Sequence, residues 1–356
     1  MSMPSTPTQL SVQASAQASA QASAEASAQA SGKSRASPLP SPCETHWIGS
    51  HLSVAGALRA AIDEAVAFRF GAVQIFTRNQ RQWTPKPLEK DEIAEFYAAR
   101  KGTVFEDGAR IVSHNSYLIN LASPDATNLA KSMACERAEL ERCELLGISA
   151  SVAHPGAHLA TEGARKPKDP NDLDSEPTAD ELAGLKRIAK SIDQLHKDLK
   201  GYKVRIALET TTGSGTNLGY AFHHLARIRG MVKEPERIVY CIDTCHVFSA
   251  GYDISTPAKA KATLERFDAE AGLAHVGALH INDSEAPFAS RKDRHAHIGE
   301  GLCGDAWFTA ILRHPAFASV PKNLETEKGN AADGRPWDLV NSERLTTLAA
   351  KSRASK

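Results

Sequence analysis

The sequence has no uninterrupted apolar run of about 18 residues, the length a membrane-crossing helix needs, so no membrane span is expected. It also has no net charge, because 42 basic side chains balance 42 acidic ones. Without a strong overall field, any attraction for nucleic acid has to come from a few local side chains or from bound metal ions. None of the six cysteines (Cys43, Cys135, Cys143, Cys241, Cys245 and Cys303) belongs to a Cys-x-x-Cys pair, so no zinc finger is expected. In a chain of 356 residues they read as reduced, mostly buried thiols of an intracellular protein.

Large apolar side chains are nearly missing from residues 1–42, where Ala-Ser repeats with Gln or Glu and ends in SPLPSP. Such a segment cannot bury enough apolar surface to fold, and a disordered tail is expected. It lacks the apolar core of a secretory signal and the arginines of a transit peptide. The last residues, 348–356, read as a short basic tail that frays. Thr161 to Thr178 is polar throughout and reads as a surface insertion.

Residues 45–347 have a different pattern, in which short apolar runs alternate with longer amphipathic stretches. Eight runs have strand character: HWIGSHLSV, AVQIFT, RIVSHNS, SASVAHPG, VRIALETT, IVYCIDTCH, HVGALHIND and KNLETEK. Helical stretches such as ADELAGLKRIAKSIDQLHKDLKG lie between them. Alternation of this kind predicts an α/β fold, a (β/α)8 TIM barrel.

The titratable residues fall at the ends of these runs. His114 ends the third, His154 the fourth, Glu209 the fifth, Asp243 and His246 the sixth, His280 the seventh and Glu325 the eighth. Asp293 and His295 follow shortly after the seventh. A single histidine after a strand is more often a hydrogen-bonded structural residue, and a single acid more often a helix cap. An acid or a histidine closing six consecutive runs is a different matter, because the C-terminal strand ends of a barrel converge on one face. Imidazoles and carboxylates together suit zinc, and also manganese or iron. Nine ligands exceed the needs of one tetrahedral ion, so two or three ions are implied, sharing at least one carboxylate. TGSGTNLG, after Glu209, lacks the Gly-Lys-Ser/Thr of a phosphate loop; its glycines read as tight turns.

The strings GSHLSVAGAL, IFTRNQRQW, HNSYLINL, HPGAHL, LETTTGSGTNLG, CIDTCHVFSAGYD, HINDS, DRHAHIGEG and LETEKG resemble, in order, those of the endonuclease IV family of zinc-dependent AP endonucleases. The match runs from about residue 48 to residue 329. It implies a TIM barrel carrying a trinuclear zinc site at the C-terminal face of its strands. It further implies a DNA repair hydrolase that cuts duplex DNA 5′ to an abasic site through a zinc-bound hydroxide, leaving a 3′-hydroxyl and a 5′ deoxyribose phosphate. By residue-to-residue match, His114, His154 and Glu209 would hold one ion. Glu209, Asp243, His280 and Glu325 would hold the second, and His246, Asp293 and His295 the third. Manganese is an alternative at one site. Glu209 and Glu325 would be catalytic, Glu325 by orienting the hydroxide. Arg81, Tyr117 and Leu118 would enter the base stack beside the lesion.

The chain departs from the family pattern at Gly56-Ala57, where Gly-Gly is frequent, and at Asn115, where aspartate is common. The loaded site should attract phosphate and the metal-free site repel it. The expected partner is double-stranded DNA with abasic sites, met by a soluble monomer in the cytoplasm of a bacterium or the nucleus of a eukaryote. Two other readings fit the barrel less well. A divalent-metal sugar isomerase or epimerase needs fewer ligands, and a non-catalytic DNA-binding module needs none.

Overall fold

The structure, a computed structural model, describes residues 41–160 and 173–350. Of the segments read as a disordered tail (1–42), a surface insertion (161–178) and a fraying end (348–356), residues 1–40, 161–172 and 351–356 lie outside the described residues. Ser41 and Pro42 instead begin a helix, Leu173 is buried and Thr178 caps a helix, and residues 348–350 complete the helix Trp337–Ala350.

Eight parallel strands close into a barrel. In chain order they are β1 (Ile48–His51), β2 (Ala72–Ile75), β3 (Ile111–His114), β4 (Ala150–Ala153), β5 (Arg205–Glu209), β6 (Ile238–Asp243), β7 (Val276–His280) and, after a short hairpin of β8 (Asp283–Ser284) and β9 (His295–Ala296), β10 (Lys322–Leu324). β1 pairs with β10 and with β2, which closes the ring. All eight runs with strand character in the sequence contain one barrel strand. No helix among the described residues is long and apolar enough to cross a membrane.

Alternation along the strands separates two cores. Val73, Ile75, Ile206, Leu208, Ile242 and Leu279 join the large outer core, where the helices pack. Val112, Val152, Ala207, Cys241 and Ala278 belong to a second buried cluster. The two sets alternate along β5 to β7, as side chains on opposite faces of a strand must, so the second cluster fills the barrel interior. His114, His154, Glu209, Asp243 and His280 stand two residues beyond Val112, Val152, Ala207, Cys241 and Ala278, respectively. The same period therefore turns each of them inward, one layer nearer the C-terminal mouth.

The helices follow from local signals. Thr178 and Glu181 form a capping box at the start of helix Ala179–Asp198, satisfying two otherwise free backbone donors. That helix buries Leu185, Ile188, Ile192 and Leu195, spaced three or four apart, against the barrel. At the opposite end of the barrel, the short helix Pro42–His46 is capped by Ser41. The buried Lys322 ammonium donates to the carbonyls of His46, Phe317 and Val320, at 2.9, 2.6 and 2.9 Å. Three acceptors match its three protons, while burial pushes the ammonium down to about 7.

Candidate metal centre

Glu209 ends β5 with no exposed surface. Four imidazoles surround its carboxylate. His114 Nε2 and His154 Nε2 lie 3.3 and 3.2 Å from Oε2. His246 Nδ1 and His280 Nδ1 lie 3.4 and 2.9 Å from Oε1. Glu325, one residue beyond β10, places Oε2 3.0 Å from His280 Nδ1. Asp243 ends β6, with Oδ2 3.8 Å from His280 Nδ1 and 3.7 Å from His295 Nε2. Asp293, in the hairpin, faces His246 Nε2 at 3.1 Å and His295 Nε2 at 3.2 Å. All nine residues singled out in the sequence therefore share one region at the barrel mouth.

Their donor atoms form overlapping groups. His114, His154 and Glu209 make one, and Glu209, Asp243, His280 and Glu325 a second. Around the hairpin, Asp243, His246 and His295 converge, and so do Cys245, Asp293 and His295. Cys241 also approaches Glu209 and His280. Burial pushes the Cys241 thiol up to about 12 and the Cys245 thiol up to about 11, which keeps both protonated at neutral pH.

The spacing Asp-x-x-His predicts His246 at a strand end, but the residue sits in the first turn of helix Thr244–Ala250. Asp243 is the cap of that helix, its Oδ1 accepting from the His246 backbone N–H at 2.8 Å. The cap role and a place at the site coexist, because Oδ2 remains directed inward and accepts from Asn282 Nδ2 at 2.7 Å. In the loop after Glu209, Gly213, Gly215 and Gly219 take φ of +73, +57 and +93°, the left-handed region that glycine enters without strain.

The donor set fits metal ions. His114 Nδ1 meets the Asn115 carbonyl at 2.8 Å, His246 Nδ1 the Thr210 carbonyl at 2.8 Å and His295 Nδ1 the Glu325 carbonyl at 3.2 Å. Each of these nitrogens must carry a proton to donate, which leaves the other nitrogen as a lone pair facing the shared space. Metal-ligating histidines are typically oriented in this way. His246 Nε2, His295 Nε2 and Glu209 Oε2 are buried, and their charged neighbours at 3.1–3.3 Å are not aligned as hydrogen bonds, an incompletely satisfied state that a bound cation would relieve. In the metal-free protein protons take part of that role. Burial opposes charge on His246, His280, His295, Glu209 and Glu325, but their oppositely charged neighbours win. Asp243 and Asp293 raise His246 well above the usual imidazole range. The carboxylates of Glu325 and Glu209 help do the same for His280. His295 is pushed up to about 9 by Asp243 and Asp293, again against burial. Glu209 and Glu325 are held well below the carboxylate range, chiefly by the charge of His280 acting against burial.

Three further residues support the site without standing out in the sequence. Asn282 bonds Asp243 and accepts from the Glu325 backbone N–H at 2.7 Å. Asp283 accepts from the backbones of Gly299, Gly301 and Cys303, tying down the loop after the hairpin. Gln74, buried on β2, bonds both His280 and Glu325. A polar residue inside the apolar run AVQIF is the one sequence signal that could have marked it.

Arg81, Tyr117 and Leu118 lie on two loops beside the cluster, joined where Ser116 Oγ donates to the Gln80 carbonyl at 2.6 Å. Arg81 is exposed and Leu118 half-buried. Tyr117 is 61% exposed, which excludes a place in the core. Its ring lies 5.1 Å from that of His114. A cavity of about 280 Å³ opens next to it, lined by Asn115, Leu118, His154, Thr211 and Asn217 among others.

Residues 62–347 match the model of a family described as the xylose isomerase-like TIM barrel. The probable endonuclease 4 of Chloroflexus aggregans is 40% identical over 281 residues, covering 79% of this chain and 91% of its own length. That of Trichlorobacter lovleyi is 38% identical over 302 residues, covering 85% and 99%. Among solved structures, endonuclease IV from Thermus thermophilus superimposes with a TM-score of 0.68 at 28% identity, over 85% of this chain and 98% of that one. A D-tagatose 3-epimerase-like protein superimposes with a TM-score of 0.58 at 18% identity, over 85% and 96%, a likeness of fold alone.

Proposed function

Because the chain belongs to the endonuclease IV family, and is thus a metal-dependent DNA-cleaving hydrolase of DNA repair, we propose that it hydrolyses the phosphodiester 5′ to an abasic site in duplex DNA. The observation that carries this reading is Glu209, fully buried with four imidazoles within 3.4 Å of its carboxylate. A buried acid so placed is suited to bridging cations.

In this reading His114, His154 and Glu209 hold one zinc ion, Glu209, Asp243, His280 and Glu325 a second, and His246, Asp293 and His295 a third, with manganese able to replace zinc at one of them. When bound, such ions acidify water and neutralise charge on a phosphate. The remaining work falls to the chain. Glu209 keeps its neighbours in register by offering one oxygen to each side. Glu325 has Oε1 fixed by Gln74 and Oε2 turned toward the cluster, so it can orient the attacking water. Water adds to phosphorus as the bond to the 3′ oxygen breaks. That oxygen leaves as a 3′-hydroxyl, taking up the proton that the attacking water gives up, and the phosphate stays on the abasic sugar.

Recognition rests on the two joined loops. Extracting a nucleotide that has no base costs little stacking. An exposed tyrosine beside a leucine can fill the gap, and Arg81 can reach phosphates. The cavity beside His154 gives a baseless sugar room. The duplex needs free access to the barrel mouth, which favours a monomer, working in the cytoplasm of a bacterium or the nucleus of a eukaryote. Tyr117→Ala and Leu118→Ala should each weaken binding to an abasic duplex by roughly 10-fold, the loss of about 1–3 kcal/mol of stacking, and leave binding to intact duplex nearly unchanged. Titration of both duplexes by fluorescence anisotropy checks this. Equal losses on the two would mean that the residues only support the loop.

A further inference from the structure

Three imidazoles of the cluster, those of His114, His246 and His295, have one ring nitrogen engaged by a main-chain carbonyl, which substitution does not remove. His280 is held differently. Its Nε2 lies 2.8 Å from Gln74 Oε1. The amide nitrogen of the same side chain lies 2.6 Å from Glu325 Oε1 and 3.0 Å from His51 Nδ1. Gln74 is fully buried on β2 between Val73 and Ile75. Those two neighbours face the outer core, so Gln74 projects into the barrel.

The chemistry of the partners fixes the orientation of the amide. An ionised carboxylate only accepts hydrogen bonds, so the NH2 group has to face Glu325. The amide oxygen then faces His280, and it can only accept, so Nε2 of that imidazole carries the proton. His280 Nδ1 is then the nitrogen turned to the ligand set: without metal it donates to Glu209 Oε1 at 2.9 Å, with Glu325 Oε2 at 3.0 Å, and loss of that one proton frees its lone pair for an ion. One side chain thus sets the tautomer of His280 and the position of the Glu325 carboxylate.

We infer that Gln74 is a positioning residue for the ion held by Glu209, Asp243, His280 and Glu325, presenting His280 Nδ1 and Glu325 Oε2 together as ligands. This rests on the reading that those four residues bind zinc. Without Gln74, the imidazole is free to take the other tautomer, with its proton on the nitrogen that should bind metal. The carboxylate also loses its fixed end. Groups that orient metal ligands typically contribute 10- to 100-fold to metal affinity.

The test uses the full chain and Gln74→Leu, which keeps the apolar bulk and removes all three hydrogen bonds; Gln74→Met serves if leucine disturbs the fold. Zinc retained per chain is measured against chelators of graded strength, and the His280 tautomer is read from imidazole 15N shifts of the zinc-loaded protein. The variant is expected to release one zinc ion about 10- to 100-fold more readily than wild type while the others stay in place. Its His280 should show a mixture of tautomers, and the melting temperature of the metal-stripped variant should fall only slightly below that of stripped wild type, as the loss of buried hydrogen bonds requires. Unchanged zinc retention, or a single unaltered tautomer, overturns the inference. A lowered melting temperature of the stripped protein with unchanged retention also overturns it, by assigning Gln74 a purely structural role. A wild-type protein that holds no zinc at these residues overturns the underlying reading instead.

Discussion

Glu209→Gln is expected to fold, to lose zinc and to lose nearly all cleavage of abasic DNA. The carboxylate offers Oε2 to His114 and His154 and Oε1 to His246 and His280. An amide of the same shape keeps the oxygen but replaces its partner with an NH2 group, which donates where a cation should bind. It also removes a negative charge from a fully buried centre. A change behind the ligands costs about 10- to 100-fold, and loss of a bridging ligand should exceed that, with a fall of about 1,000-fold or more in kcat. Zinc per chain by atomic absorption, expected at about three in wild type and fewer in the variant, is read beside the cleavage rate, with circular dichroism reporting the fold. A variant with near wild-type rate and zinc would show that Glu209 bridges nothing.

Removing the metal should abolish cleavage and also weaken DNA binding. The chain as a whole has no net charge, so its attraction for phosphate has to be local. Glu209, Asp243, Asp293 and Glu325 bring four negative charges to the site, and three zinc ions would reverse that to a net of about two positive. The sequence alone suggests that the metal-free site repels DNA. The structure moderates this, because His246, His280 and His295 all have raised proton affinity and return part of the lost charge as imidazolium. The stripped site is therefore nearer neutrality than strong repulsion. A fall of about 10-fold in affinity for an abasic duplex is expected after chelation, with a shallower dependence on salt, and both should recover when zinc is restored. Equal affinity with and without metal would mean that the ions play no part in holding the phosphate.

Much of this was legible in the sequence because a barrel has a simple grammar. Each strand is short and apolar, and six of the eight lead into a functional residue, so His114, Glu209, Asp243 and His280 could be placed at strand ends directly. His246 was harder, since three residues after a strand end the chain had already turned into a helix capped by Asp243. The supporting residues were less visible. Gln74 and Asn282 carry no charge and act through hydrogen bonds to chain segments far away in sequence, which spacing does not reveal. Cys241 and Cys245 were readable as buried thiols, but their position among the ligand atoms depends on the closed barrel and the hairpin. Arg81 and Tyr117 were traceable only through the family resemblance. Their loops show no periodicity, and it is the exposure of Tyr117 that separates a surface role from a core one.

Cleavage of an end-labelled duplex carrying one abasic-site analogue, beside the same duplex without it, is the decisive measurement. The protein is used as purified and after chelation. A single cut on the 5′ side of the lesion, ending in a 3′-hydroxyl, is predicted for the metal-loaded protein, with none after chelation and none on intact DNA. A protein shown to carry its zinc that leaves the abasic strand whole would contradict the account, and sugar substrates of isomerases and epimerases would be the next to try.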